Sequence, residues 1–485
     1  MVVACLVTFA LLAPLAWLWW NSRLPSEYSV MDMGYADFGG GPGASASDGG
    51  HSAHQGVSIE TLTVADDRPA DVEYELVARQ ETFTLASGRS VDGYTLNGGS
   101  PGPTVHADEG DLVQVTLTNE SVPDGATLHW HGVDVPNAMD GVAGVTQNAV
   151  MPGESFTYRF VADQVGTYWY HSHQVSHEQV IGGLFGGVVF DPVNASVGGA
   201  DVDVTAMVHI YDGTRTVNGL EGDVPTEVAS GAVVRVRVVN TDNGPMSVWT
   251  SGSPYRVLAV DGYDVNEPDV VDGAAITVTA GGRADLEIEV PASGARLELG
   301  GNTALLLGEG AASVSEEPAP REFVDLLSYG SPAPLGVDPD DADRQFEYVV
   351  DRRPGFLDGK PGLWWTVNGN LYPDVPMFTV SEGDVVTMRI ENKSGDVHPM
   401  HLHGHHAVVL ARNGDPATGS PWWVDSLNVV HGETYDIAFV ADNPGVWLDH
   451  CHNLPHAAEG LLAHLGYTGY STPYVIGGDN HNEPE

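Results

Sequence analysis

Lysine is nearly missing from this 485-residue chain, represented only by Lys360 and Lys393. With 19 Lys+Arg against 66 Asp+Glu, the formal net charge is -47 at pH 7. So few cations cannot offset repulsion from phosphates, which argues against nucleic acid as a partner. An acidic surface of this kind suits high salt, where self-repulsion is screened; an acidic secreted protein from an ordinary habitat is the other reading. Cysteine is scarce as well. Cys5 sits in a hydrophobic leader and Cys451 in a histidine cluster at the other end, so no disulfide between them is expected. No basic residue precedes Arg23, so the usual start of a secretory signal is lacking.

What is present reads as ordered and globular. The composition is 42% hydrophobic, and 59 Gly and 31 Pro suit strands and turns. Residues 1–22 open with an uncharged apolar run, long enough to span a bilayer and rich in Trp at its end (Trp17, Trp19, Trp20). We expect a membrane anchor through residues 1–20, with a cleaved signal as the alternative and an extracytoplasmic location in either case. Arg23 alone points weakly to the opposite orientation. Residues 23–58, rich in Gly, Ser, Asp and Ala, read as a flexible linker. His51, His54, Met31 and Met33 within it read as solvated linker rather than as copper-handling groups.

Beyond the linker one unit recurs three times. Its openings are Thr95-Leu-Asn-Gly98, Thr216-Val-Asn-Gly219 and Thr366-Val-Asn-Gly369. Each leads to an alternating apolar–polar run (from Glu109, Ser230 and Glu382), the pattern of a half-buried strand. The closing halves also correspond, from Met151, Val278 and Val429, but the middle copy has no histidines. Three β-sandwich domains follow, expected at 59–193, 194–320 and 321–485, with the chemistry in the first and third. SVSEEPAPRE, from Ser313, reads as the connection before the third.

Four His-x-His pairs stand out: His129/His131, His171/His173, His401/His403 and His450/His452. In a strand both members of such a pair leave the same face. Eight imidazoles offered in pairs suit a copper cluster; a single pair would be explained as well by packing or zinc. Cys451 lies between His450 and His452, so its thiolate must face the other way. His398, three residues before His401, should also face away, and His456 follows Cys451 by five residues. Those three form a His₂Cys set, the ligand pattern of a blue-copper electron-transfer site.

With the motifs HWHG, HSH, HPMHLHGH and HCHNLPH, the chain resembles the multicopper oxidase family over roughly residues 59–474. The resemblance implies an all-β protein of three cupredoxin-like Greek-key domains, with a copper cluster between the first and third. It implies four coppers: type 1 at His398, Cys451 and His456, and type 2 at His129 and His401. The type 3 pair would be held by His131, His171, His173, His403, His450 and His452. Dioxygen would be reduced to water with electrons from small reducing substrates, and Cys451, His450 and His452 would link the sites. Asp140 matches a family acidic residue near the cluster and is a candidate proton donor; a turn Asp before Gly141 is the alternative. His405, His406 and His177 read as packing residues or partners of ligands.

The sequence departs from the family pattern at two positions. Many bacterial members carry an axial Met ten residues after the Cys, where this chain has the non-ligating Leu461; the type 1 potential should be high. Ala457 replaces an acidic residue often found after the last type 1 His. A laccase-like oxidase of phenols and similar donors is expected. The absence of a Met-rich insert argues against a dedicated Cu(I) oxidase, and the abundance of acids leaves Fe(II) undecided. A copper nitrite reductase would have two domains and no HCH strand. A copper-sequestering protein would not need a cysteine joined to paired histidines, and a hydrolytic zinc site would want carboxylates.

Overall fold

The computed structural model describes residues 2–42, 56–65, 68–193 and 200–485. Three pairs of sheets follow one another along the chain. The first pair has four strands in each sheet, the second seven and five, the third seven and six. Each encloses its own apolar core, around Leu76, Val115 and Trp130, around Val236, Leu286 and Leu297, and around Tyr348, Phe378 and Trp447.

The same crossover recurs in all three, as the sequence repeat requires. Val72–Thr84 runs parallel to Leu112–Asn119, which pairs antiparallel with Ser155–Val161. Val202–Tyr211, Val233–Asn240 and Arg283–Glu289 repeat this order, as do Arg344–Leu357, Val385–Asn392 and Thr434–Val440. The repeated Asn-Gly has a structural cause. Asn97, Asn218 and Asn368 all adopt positive φ (56°, 51° and 51°), each followed by a positive-φ glycine. Each Asn side chain also bridges the neighbouring strand, accepting from Val77, Met207 or Val349 N–H and donating to Glu75, Thr205 or Glu347 C=O.

The expectation of a flexible linker over 23–58 fails for its described part. Glu27–Tyr28 pairs antiparallel with Ile476–Gly477, and Tyr35–Asp37 extends a sheet edge beside Pro376–Val380. Between them Val30 is fully buried against Val142, Val145, Val446 and Ile476. Met31 and Met33 pack on the same cluster rather than in solvent. Strands of two and three residues carry no readable periodicity; their order comes from an available sheet edge. His51 and His54 lie outside the described residues. The leader forms a helix, Val2–Asn21, with Pro14 inside it. Among the described residues no helix is long and apolar enough to cross a membrane.

Candidate metal centres

The four pairs converge where the first and third sandwiches meet. His129–His131 and Gly166–His171 are neighbouring strands in one sheet, and His398–Leu402 and Val446–Cys451 are neighbours in another. Their histidines sort into groups whose donor atoms lie within 4.8 Å of one another: His131/His171/His452, His173/His403/His450, and His129/His401 with His131. The Nε2 atoms of His129 and His401 stand 3.3 Å apart, and those of His403 and His450 3.2 Å apart.

The outer nitrogen of most of these rings is tied to a protein acceptor. His129 and His403 each direct Nδ1 at the Asp140 carboxylate, at 3.1 and 3.2 Å. His171 Nδ1 donates to Ser172 C=O, His173 Nδ1 to Pro484 C=O and His401 Nδ1 to Asp425 C=O. His131 is turned the other way, with Nε2 donating to Asp425 Oδ1 at 3.1 Å. The inner nitrogens His131 Nδ1, His171 Nε2, His173 Nε2 and His452 Nε2 are buried without any hydrogen-bond partner. Orphaned buried nitrogens on this scale need an explanation, and a metal ion supplies it. Burial also drives these imidazoles toward the neutral form, lowering His173 and His452 to about 3 and His171, His401, His403 and His450 well below the usual range. Neutral rings with free lone pairs are what a copper site requires.

On the opposite face of the Val446–Cys451 strand lies the thiol site. Cys451 Sγ is 3.5 Å from His398 Nδ1 and 3.8 Å from His456 Nδ1. His398 is fixed by Ser394 Oγ at 2.7 Å from Nε2 and, like Cys451, is fully buried. His456 comes from the short helix Leu454–Ala458 and keeps partial exposure, so it is the edge of this site nearest solvent. Trp365 packs on both imidazoles, with ring centroids 4.8 and 4.5 Å away. Leu461 and Cys451 belong to one buried cluster, and Ala457 is buried. Burial pushes the Cys451 thiol well up, which suits a sulfur reserved for a metal rather than a free nucleophile.

Family models described as multicopper oxidase match residues 77–195 and 346–467. The chain belongs to the multicopper oxidase family. It is similar to Laccase-1 of Botryotinia fuckeliana, 29% identical over 80% of this chain and 80% of that one. It is also similar to the multicopper oxidase MmcO of Mycobacterium tuberculosis, 28% identical over 78% of this chain and 84% of that one. A crystal structure of a multi-copper oxidase from Pseudomonas thermotolerans superposes with a TM-score of 0.67 at 28% identity, covering 82% of this chain and all of that one. As a multicopper oxidase this chain is an oxidoreductase that uses oxygen, and family membership implies copper, which the histidine groups fit.

Two carboxylates at these centres, Asp425 and Glu485, have no signal in the sequence. Asp425 holds His131 and, through its carbonyl, His401. Burial opposes its charge, but Arg283, His131 and His406 together hold the carboxyl well below the usual range. His406 lies 3.2 Å from Asp425 and 3.4 Å from Asp134; burial works against its charge, yet these carboxylates raise it to about 10. Glu485 Oε1 approaches His450 Nδ1 at 3.1 Å, and burial pushes this carboxyl up to about 8. His405 contributes packing, bound to His403 C=O and the Tyr467 hydroxyl. His177 is part-exposed beside Glu178. Asp140 does sit before a positive-φ Gly141, but its carboxylate points at two imidazoles rather than at its own turn.

Proposed function

We propose that this multicopper oxidase is laccase-like, coupling one-electron oxidation of phenols and similar donors to the four-electron reduction of dioxygen to water. In this reading His398, Cys451 and His456 hold type 1 copper, and His129 and His401 hold type 2. His131, His171 and His452 hold one type 3 copper, and His173, His403 and His450 the other, making four per chain. The observation that carries the reading is the strand Val446–Cys451, which with the residue that follows it offers Cys451 to one donor group and His450 and His452 to the opposite histidine groups. When bound, copper supplies the one-electron redox couple and the site of oxygen reduction.

The chain's own residues do the rest. His456 offers the part-exposed edge through which a donor can deliver an electron, and Trp365 holds that ring in place. A cavity of about 440 Å³ opens beside the His456 helix, with Trp364, Tyr372, Leu357 and Pro455 among its apolar walls and Asp358, Lys360, Glu459 and Glu485 among its charged ones. Such aromatic and aliphatic walls suit organic rings. Asp140 orients one imidazole of each of two metal groups, and as a buried acid at the cluster it is the proposed proton donor. The apolar leader is proposed to tether the chain outside the cytoplasm; cell fractionation with and without residues 1–22 tests this.

Oxygen uptake by the copper-loaded protein, screened with phenols, Fe(II), Cu(I) and bilirubin at low and high salt, tests the function. An intense visible thiolate band with uptake on phenols is expected. Uptake on Fe(II) or Cu(I) alone would make it a metallo-oxidase, and copper binding without uptake a sequestering protein.

A further inference from the structure

The middle sandwich carries none of the histidines, yet one of its turns reaches the cluster. Thr279 to Gly282 link the strands Ile276–Val278 and Arg283–Glu289. At its tip Gly281 has φ +77°, and a Cβ there would stand 2.7 Å from His131 Cε1 and 3.0 Å from His452 Cδ2. The Gly281 carbonyl accepts from Trp169 Nε1 at 3.0 Å, and the Trp169 ring packs on His131, His171 and His452. The turn and Trp169 thus wall one whole histidine group.

Arg283 completes the contact. It is fully buried and touches all three sandwiches. Its guanidinium makes a two-pronged pair with both oxygens of Asp425 in the third. Nε donates to Thr167 C=O of the first at 3.0 Å, and Nη1 to Gly281 C=O at 3.3 Å. Asp261, also of the middle sandwich, accepts from the N–H groups of Arg283, Asp425 and Ser426 at 2.8, 3.3 and 3.2 Å. The glycine of HWHG has its reason here: at Gly132 (φ +83°) a Cβ would collide with the Arg283 guanidinium and the Asp425 carboxylate. A planar fork with several fixed donors suits this junction, and a lysine could not span it.

We propose that the middle domain is a working part of the cluster: Arg283 and Gly281 position its histidines, Arg283 through Asp425 and Gly281 by direct contact. The inference rests on the copper reading above. Asp425 holds His131 by Nε2, so that Nδ1 is left as the buried, unpartnered donor that would take a copper, and holds His401 through its carbonyl. One ligand of the type 2 position and one of a type 3 position therefore depend on a side chain from a domain that supplies no ligand. Arg283 and Gly281 are positioning residues.

The test uses the full chain loaded with Cu(II), in Arg283→Gln, Arg283→Lys and Gly281→Ala. The type 1 visible band, which reports Cys451 on the far face of its strand, should be kept in each folded variant. Bound copper after dialysis should fall from about four toward one per chain, and cluster affinity by about 10- to 100-fold. The type 2 electron paramagnetic resonance hyperfine pattern should change, a readout that simple destabilisation would not move. Lysine should not rescue, because it keeps the charge without the fork. If Arg283→Gln does not fold, Gly281→Ala, which leaves the ion pair intact, decides. Parent-like copper content and an unchanged type 2 signal in the folded variants would overturn the inference. Absence of copper from the parent would instead overturn the functional reading itself.

Discussion

Asp140→Asn separates the roles available to the carboxylate at the cluster. The side chain accepts from His129 Nδ1 at 3.1 Å and His403 Nδ1 at 3.2 Å, and it is fully buried. An amide of the same shape has one acceptor oxygen and one NH₂, so it can serve one ring but must point a donor at the other. His129 has a second acceptor, the Asp140 carbonyl at 3.0 Å, whereas His403 Nδ1 has only the carboxylate among its described contacts. The amide oxygen should therefore settle on His403, leaving His129 with the backbone. One charge-assisted hydrogen bond is lost, about 1.5–3 kcal/mol. At about 1.4 kcal/mol per decade, that weakens copper binding at the cluster roughly 10- to 100-fold, and the spare acceptor puts it near the lower figure. Asp140→Ala, which also leaves His403 Nδ1 without an acceptor while His129 keeps the backbone carbonyl, should lie near the upper figure. Competition with a graded chelator series, read by copper per chain, measures the affinity; oxygen uptake from pH 5 to 8 measures proton handling, which Asn cannot perform. Asp140→Asn with parent copper retention and a parent pH profile would refute the positioning and the proton-donor roles together.

Other expectations are more local. Leu461→Met should lower the type 1 potential, because a thioether stabilises the Cu(II) form; a spectroelectrochemical titration in which the potential stays or rises would contradict this. Burial, opposed by the Trp447 backbone, lowers His464 to about 4. The unfolded chain binds that proton more tightly, so stability is full above about pH 6.5 and falls by up to about 3 kcal/mol as pH drops toward 4. His464→Leu should flatten that acid limb in denaturant titrations; parallel curves for variant and parent would count against it. Raising salt from about 0.1 M to about 1 M shrinks the screening length from about 10 to 3 Å, so the chain with net charge -47 should unfold at higher temperature, and an unmoved Tm would dismiss self-repulsion as a factor.

The histidine face was legible because it is local. Side-chain alternation alone places His450 and His452 opposite Cys451, and the same rule turns His398 away from His401; the structure keeps that division. The Asn-Gly openings likewise mark the repeat in the sequence itself. Asp425, Glu485 and Arg283 were not legible. Each is an ordinary charged residue in its own segment and gains its role from partners far along the chain, 294 residues away for Asp425 and His131. The segment around Val30 departs from the linker expectation for a related reason: its strands exist only because an edge and an apolar slot elsewhere receive them. The turn at Gly281 has no reactive side chain to mark it in the sequence.

The strand Val446–Cys451 has a consequence for how this protein can vary. Its two sites are kept apart by an odd step between neighbouring positions, so its length matters more than most of its letters. Substitutions at Trp447 or Leu448 would disturb packing and leave the phase intact. Insertion or deletion of one residue before His450 would rotate Cys451 into the histidine cluster and both imidazoles into the hydrophobic interior. A library of single-residue insertions across this segment should therefore lose both centres at once, and natural variation here should be confined to exchanges that preserve the count.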